Sequence, residues 1–192
     1  MAAVSDWTER HRPTSESHLE GNENQRQKIR KWLDDWKTGI PKNKAILLAG
    51  PPGVGKTTIA RAIAQDMGWN VIELNASDAR NAASIRKAAT KGATHRSLFF
   101  SPEENDKKTL ILIDEVDHLT GGLRSVSESR INDAIKVNLD NSDNVQLKGD
   151  TGGKAELLKL LAETKQPVIL ACNEVMGLWG KTSNWRSTRE RF

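Results

Sequence analysis

In GNENQRQKIRKWLDDWKTG (residues 21–39) the apolar side chains of Ile29, Trp32, Leu33 and Trp36 fall at i, i+3, i+4 and i+7, one stripe of a helix that Gly39 ends. The pattern then changes. AILLAG (45–50) is an unbroken apolar run that reads as a buried strand; past a glycine-rich turn, Ile59, Ile63 and Met67 line one face of a helix stopping at Gly68. NVIELN (70–75) predicts a second strand and SDARNAASIRKAATKG (77–92) a helix capped by Ser77 or Asp78. TLILIDE (109–115) predicts a third strand, GGKAELLKLLAETK (152–165) a helix and PVILACN (167–173) a fourth strand. Strands that alternate with helices predict an α/β fold, a parallel sheet with helices on both faces.

Two stretches break this rhythm. Residues 118–148 are rich in Ser, Asn and Asp and read as an excursion loop, in which Ile131 and Ile135 can form one short helical turn against the body. The tail, 176–192, carries Trp179, Trp185 and several arginines without a clear period.

At 192 residues the chain suits one domain. The 29 basic and 25 acidic residues leave a net charge of +4, which permits a nucleic-acid partner without requiring one. Cys172 is the only cysteine, so neither a disulfide framework nor a CxxC metal pair is available, and the four histidines show no HExxH spacing. This points to a reducing, cytoplasmic setting. The charged N-terminus lacks the apolar core of a signal peptide and no apolar run approaches the roughly 18 residues of a spanning helix, so no membrane is expected.

The glycine-rich turn carries the chemistry. Gly50, Pro51, Pro52, Gly53, Val54, Gly55, Lys56 and Thr57 have the GxxxxGK[ST] spacing, between a strand and a helix, and Thr58 extends the set. Glycines let successive backbone N–H groups turn toward phosphate oxygens, and the helix N-terminus adds partial positive charge. Lys56 is placed to reach the β and γ phosphates of ATP, and the Thr57 hydroxyl to ligate Mg²⁺. In LILIDEVD, Asp114 ends an apolar strand at the sheet edge where ligands bind and is the candidate Mg²⁺ ligand. Glu115, next along, is the candidate general base for an attacking water. Asn173, closing the fourth strand, either fixes that water or the γ-phosphate, or merely ends the strand. Cys172 is expected to pack as a small apolar side chain.

DWTERHRP (6–13), LEGNE (19–23), GPPGVGKTT (50–58), ELNASD (73–78), LIDEVD (112–117) and ILACN (169–173) occur in the order and spacing of replication factor C, the AAA+ clamp loader. The chain resembles that family over nearly its whole length, and GGKAELLKLLAETKQPVIL is similar to the archaeal large subunit. The resemblance implies a P-loop NTPase fold of AAA+ type with a five-stranded sheet. It also implies a pentamer with clamp-loader small subunits that uses ATP to open a sliding clamp and place it on primer–template DNA.

By matching motif, Trp7 to Pro13, with Arg12 and Pro13 among them, and Leu19 to Asn22 border the adenine. Asn173 is the first sensor, and Asn75 holds Glu115 in an idle rotamer. Arg80 and Arg86 match positions facing DNA phosphates, with an ordinary solvated helix face as the alternative. His11 stands where the family usually has tyrosine, the 118–148 excursion is longer than in relatives, and RSTRERF lacks the Ser-Arg-Cys finger of small subunits. The helical lid and C-terminal collar of the family have no counterpart, so the chain reads as the first half of such a subunit. The expected organisation is one ATPase core over 1–192. It comprises N-terminal boxes and a helix (1–43), the phosphate-loop and Mg²⁺ half (44–117), the excursion (118–148), and a helix, sensor strand and tail (149–192). Two other functions stay open: another AAA+ ATPase of DNA repair, for branch migration or helicase loading, and a nucleotide-binding subunit that does not hydrolyse.

Overall fold

A computed structural model describes residues 10–77, 81–87, 108–119, 126–127, 129–132 and 152–175. Four strands, β1 (Ala45–Ala49), β2 (Asn70–Asn75), β3 (Thr109–Asp114) and β4 (Val168–Cys172), form one sheet in the order β1-β4-β3-β2 with every adjacent pair parallel. A fifth strand, implied by the family resemblance, is not among the described residues.

Period-2 alternation along these strands sends side chains to two cores. On one face, Ile46 and Leu48 of β1, Leu110 and Leu112 of β3 and Ile169 of β4 pack against helices α1 (Glu23–Thr38) and α2 (Lys56–Asp66). On the other, Ala45 and Leu47, Ile111 and Ile113, and Val168, Leu170 and Cys172 pack against helix α3 (Gly153–Glu163) and Ile85. Because β1, β3 and β4 are covered on both sides, their sequences are continuous apolar runs rather than alternating ones. β2, at the edge, exposes Asn70, Glu73 and Asn75.

The predicted stripe of α1 is the buried one: Ile29, Trp32, Leu33 and Trp36 all lie in the core. Trp32 and Trp36 meet edge to face at 6.1 Å, and the Trp32 indole N–H donates to the Asn43 carbonyl at 2.8 Å. Removing an aromatic side chain from such a site costs on the order of 3–5 kcal/mol, so this pair fixes α1 on the sheet. α2 ends one residue before Met67, and the Trp69 N–H closes its last turn on the Ala64 carbonyl at 3.0 Å.

The helix predicted over 77–92 begins later than expected. Residues 82–87 are helical, and the Asn81 side chain accepts from the Ser84 N–H at 3.0 Å, so Asn81 is the cap in place of Ser77 or Asp78. Asp78 lies outside the described residues, and Ser77 is engaged elsewhere. Within the excursion, Ile131 sits in a helical segment, 129–132, and packs on Ala82 and Ala83 as expected, while Ile135 lies outside the described residues. Among the described residues no helix is long and apolar enough to cross a membrane.

Candidate functional site

The sheet register brings the carboxyl ends of the strands level: Ala49 stands opposite Cys172 and Asn75 opposite Asp114. The loop leaving β1 is tied to this edge by the Gly50 N–H, which donates to the Cys172 carbonyl at 3.3 Å. Gly53 and Gly55 turn it at φ 81° and 86°, conformations that a side chain would strain. No side chain caps α2 at Gly55, so the first N–H groups of that helix are available to an anion. Below the loop lies a cleft of about 300 Å³. It is lined by Arg12, by Pro52, Gly53, Gly55, Lys56, Thr57 and Thr58, and by Asp114, Glu115 and Asn173. Residues from four separate motifs, 12 to 173 in the chain, thus meet in one cleft. Pro13 follows Arg12 and is half-buried. Trp7, in the first of those motifs, lies outside the described residues.

The polar groups of the cleft are bonded to one another. The Lys56 ammonium donates to the Gly50 and Pro51 carbonyls at 2.8 and 2.9 Å and to the Asn173 amide oxygen at 3.0 Å. The Thr57 hydroxyl donates to an Asp114 carboxylate oxygen. Two hard oxygens side by side suit Mg²⁺, which takes few protein ligands and completes its shell with phosphate and water. Consistent with that sparse set, no cluster of three or more His, Cys, Asp or Glu able to hold a metal occurs among the described residues.

Glu115 lies one residue past the strand with a left-handed backbone, φ 54°, a conformation that costs a non-glycine residue on the order of 1–3 kcal/mol. Its N–H donates to Asp114 Oδ1 at 2.8 Å, and the chain then enters a 3-10 turn, Val116–His118, pinned by the fully buried Val116. The Glu115 carboxylate accepts from the Ser77 hydroxyl, which also contacts His118 Nδ1. His118 Nδ1 stands 3.6 Å from the same carboxylate oxygen. The family resemblance gave this hold to Asn75; in the structure the Asn75 amide oxygen instead accepts from the Ser77 N–H at 2.8 Å and so sits one residue removed from Glu115.

Sequence reasoning missed several connections. Asn22, the N-cap of α1, makes no cap bond with its side chain, whose amide reaches the Val54 carbonyl at 3.3 Å and ties α1 to the loop. Arg12, besides lining the cleft, forks onto Glu73 of β2 with both bonds at 3.2 Å. Cys172 is buried as expected. Its thiol is pushed up to about 11, first by burial and then by the Asp117 charge, against the opposing pull of Lys56.

The arginines expected to face DNA fare differently. Arg80 lies outside the described residues. Arg86 does not present its charge to solvent: its guanidinium is half-buried and donates to both oxygens of Glu156 on α3 at 2.6 and 2.8 Å. Arg86→Ala should therefore lower stability by about 1.5–3 kcal/mol, the range for bonds to a charged group, and show as a lower thermal midpoint. An unchanged thermal midpoint would contradict the ion pair.

The parallel sheet, the glycine-rich loop and the paired acids have the form of a phosphate-loop domain, and comparison with known proteins agrees. Residues 46–187 match the family described as "ATPase family associated with various cellular activities (AAA)", and the chain belongs to that family. It is similar to curated proteins named replication factor C large subunit. That of Methanosarcina mazei is 35% identical over 178 residues, 93% of this chain and 24% of the relative. That of Methanococcus maripaludis strain C5 is 40% identical over 172 residues, 90% of this chain and 29% of the relative. That of Thermoplasma volcanium is 37% identical over 169 residues, 88% of this chain and 35% of the relative. The chain thus spans about a quarter to a third of the length of these relatives. Among solved structures, a katanin chain from work on its self-assembly superposes with a TM-score of 0.56 at 19% identity, covering 93% of this chain and 52% of that one. The FIGL-1 AAA domain in complex with ADP gives 0.55 at 22%, covering 92% and 54%. Both support the fold.

Proposed function

We propose that this chain is the ATP-binding and ATP-hydrolysing part of a clamp-loader large subunit, which with small subunits opens a sliding clamp and places it on primer–template DNA. The observation that carries this reading is the convergence of Lys56, Thr57, Asp114, Glu115 and Asn173 in one cleft at the carboxyl edge of the sheet. The similarity to replication factor C large subunits supports the clamp-loader task.

In this reading the triphosphate of ATP enters under residues 50–55 and draws Lys56 off the Gly50 and Pro51 carbonyls that hold it. The β and γ phosphates then meet the ammonium and the open N–H groups of α2, charge-assisted donors already aimed at the cleft. Thr57 and Asp114, bonded to one another, are the residues that would hold Mg²⁺, which when bound would neutralise charge on the phosphates. Asn173, released by Lys56, turns its amide to the γ-phosphate or the attacking water. Glu115 takes the proton of that water once its carboxylate leaves Ser77 and His118, so the pair keeps the base idle until it is needed. Arg80 is retained as a DNA-phosphate contact; its replacement should lower the salt slope of DNA binding by about 1.

The experiment is ATP turnover by the chain alone, with small subunits, and with small subunits plus clamp and primed DNA. Stimulation by each addition is expected. Turnover indifferent to clamp and primed DNA would overturn the clamp-loader task while leaving the nucleotide site intact.

A further inference from the structure

The last acid of LIDEVD, Asp117, is used by none of these steps, yet it is bonded to the backbone of Asn173, a residue of the cleft. It sits in the 3-10 turn directly after Glu115, and its Oδ2 accepts from two consecutive backbone N–H groups, those of Asn173 and Glu174, both at 3.1 Å. These are the first two amides beyond the last residue of β4, where the ladder to β1 and β3 has ended. Without the carboxylate these amides would fall to water. The other Asp117 oxygen, Oδ1, is buried and has no hydrogen-bond partner among the described residues. A carboxylate kept where one oxygen is desolvated and unsatisfied calls for a compensating role. The Asn173 amide oxygen, one residue's length away, is the group that accepts from Lys56 at 3.0 Å. One chain of contacts therefore runs from the turn after β3, through the end of β4, to the phosphate loop.

We infer that Asp117 is a positioning residue: by clamping the backbone of Asn173 and Glu174 it sets where the Asn173 amide meets the γ-phosphate, and so determines how well the site tells ATP from ADP. This rests on the ATP-site reading above. The physical reason is geometric. β4 ends at Cys172, so Asn173 is the first residue whose backbone the sheet no longer holds, and the Asn side chain is too short to correct an error in that backbone. Two bonds to an ionised acceptor are stronger and more directional than bonds to water, which would leave the segment free to turn. Val116, fully buried beside Asp117, in turn fixes the acceptor.

The test is equilibrium binding of ADP and of a non-hydrolysable ATP analogue, both with Mg²⁺, to the chain carrying Asp117→Ala, Asn173→Ala or both. Asp117→Ala should weaken the analogue by about tenfold, the scale of a lost charge-assisted contact, and leave ADP within about twofold. The double variant should be no worse than Asn173→Ala, because one residue acts through the other. Asp117→Asn, which keeps the shape and one acceptor, should give an intermediate loss and guards against a variant that fails to fold. Amide hydrogen exchange supplies a readout independent of nucleotide: in Asp117→Asn, Asn173 and Glu174 should exchange faster while Leu170 and Ala171 do not change. Equal weakening of ADP and the analogue, additive losses in the double variant, or unchanged exchange at Asn173 and Glu174 would overturn the inference alone. Failure of the unsubstituted chain to bind either nucleotide would overturn the ATP site and this inference with it.

Discussion

On the proposed function, Glu115→Gln should lower ATP turnover by about 10²–10⁴-fold, the range for loss of a positioned general base, when assayed with small subunits, clamp and primed DNA, while Mg²⁺-dependent ATP binding should stay within about twofold. The split follows from where the two acids point. Asp114 is bonded to Thr57 in the metal corner, whereas the Glu115 carboxylate is bonded to Ser77 and stands beside His118. Glutamine keeps nearly the volume of glutamate but is neutral and cannot take up the proton of the water. Asp114→Asn behaves in the opposite sense and weakens Mg²⁺-dependent binding, because an anionic oxygen ligand is gone. Single-turnover rates and nucleotide titrations on both variants separate the roles; equal loss of binding in Glu115→Gln would place that residue on the metal.

On the proposed function, the chain alone should turn over ATP about 10³–10⁵-fold more slowly than it does with small subunits, the contribution of an arginine finger supplied in trans. Lys56 and Arg12 are the cations among the described residues lining the cleft. Lys56 is committed to the β and γ phosphates in this mechanism, and Arg12 is forked onto Glu73. The family resemblance implies that charge developing on the γ-phosphate is met by an arginine finger from a neighbouring subunit, and the proposed function takes that arrangement over. Purified chain is assayed alone and then with small subunits at saturating concentration. Turnover of the isolated chain at the assembled rate would contradict a shared site.

The α/β pattern was legible because strands covered on both faces must be apolar throughout, and helices covered on one face must carry a stripe. AILLA, TLILID and VILAC are the first kind and the Ile29, Trp32, Leu33, Trp36 set is the second. The cleft was legible for a related reason: Lys56, Thr57, Asp114, Glu115 and Asn173 each sit one or two residues from the boundary of a strand or helix, so locating the boundary locates the side chain. What the sequence did not disclose depends on side chains meeting across distant elements. Asn81, next to the first helical residue, is the cap, while the Ser77 hydroxyl is taken by Glu115, a contact across 38 residues of chain. Arg86 looks like a surface cation until α3 is seen to bring Glu156 beside it, 70 residues on. Asp117 reads as one more acid at a strand end, and only the return of β4 beside β3 shows that it grips Asn173 and Glu174.

The most direct test of the nucleotide site is a calorimetric titration of ATP with Mg²⁺ into the 192-residue chain and into its Lys56→Ala variant. Lys56 carries three donors that now rest on the Gly50 and Pro51 carbonyls and on Asn173, and all three are there for phosphate oxygens to claim. The account predicts saturable binding that Lys56→Ala weakens by tenfold or more, about 1.4 kcal/mol at least. An affinity for ATP that Lys56→Ala leaves within about twofold would contradict it.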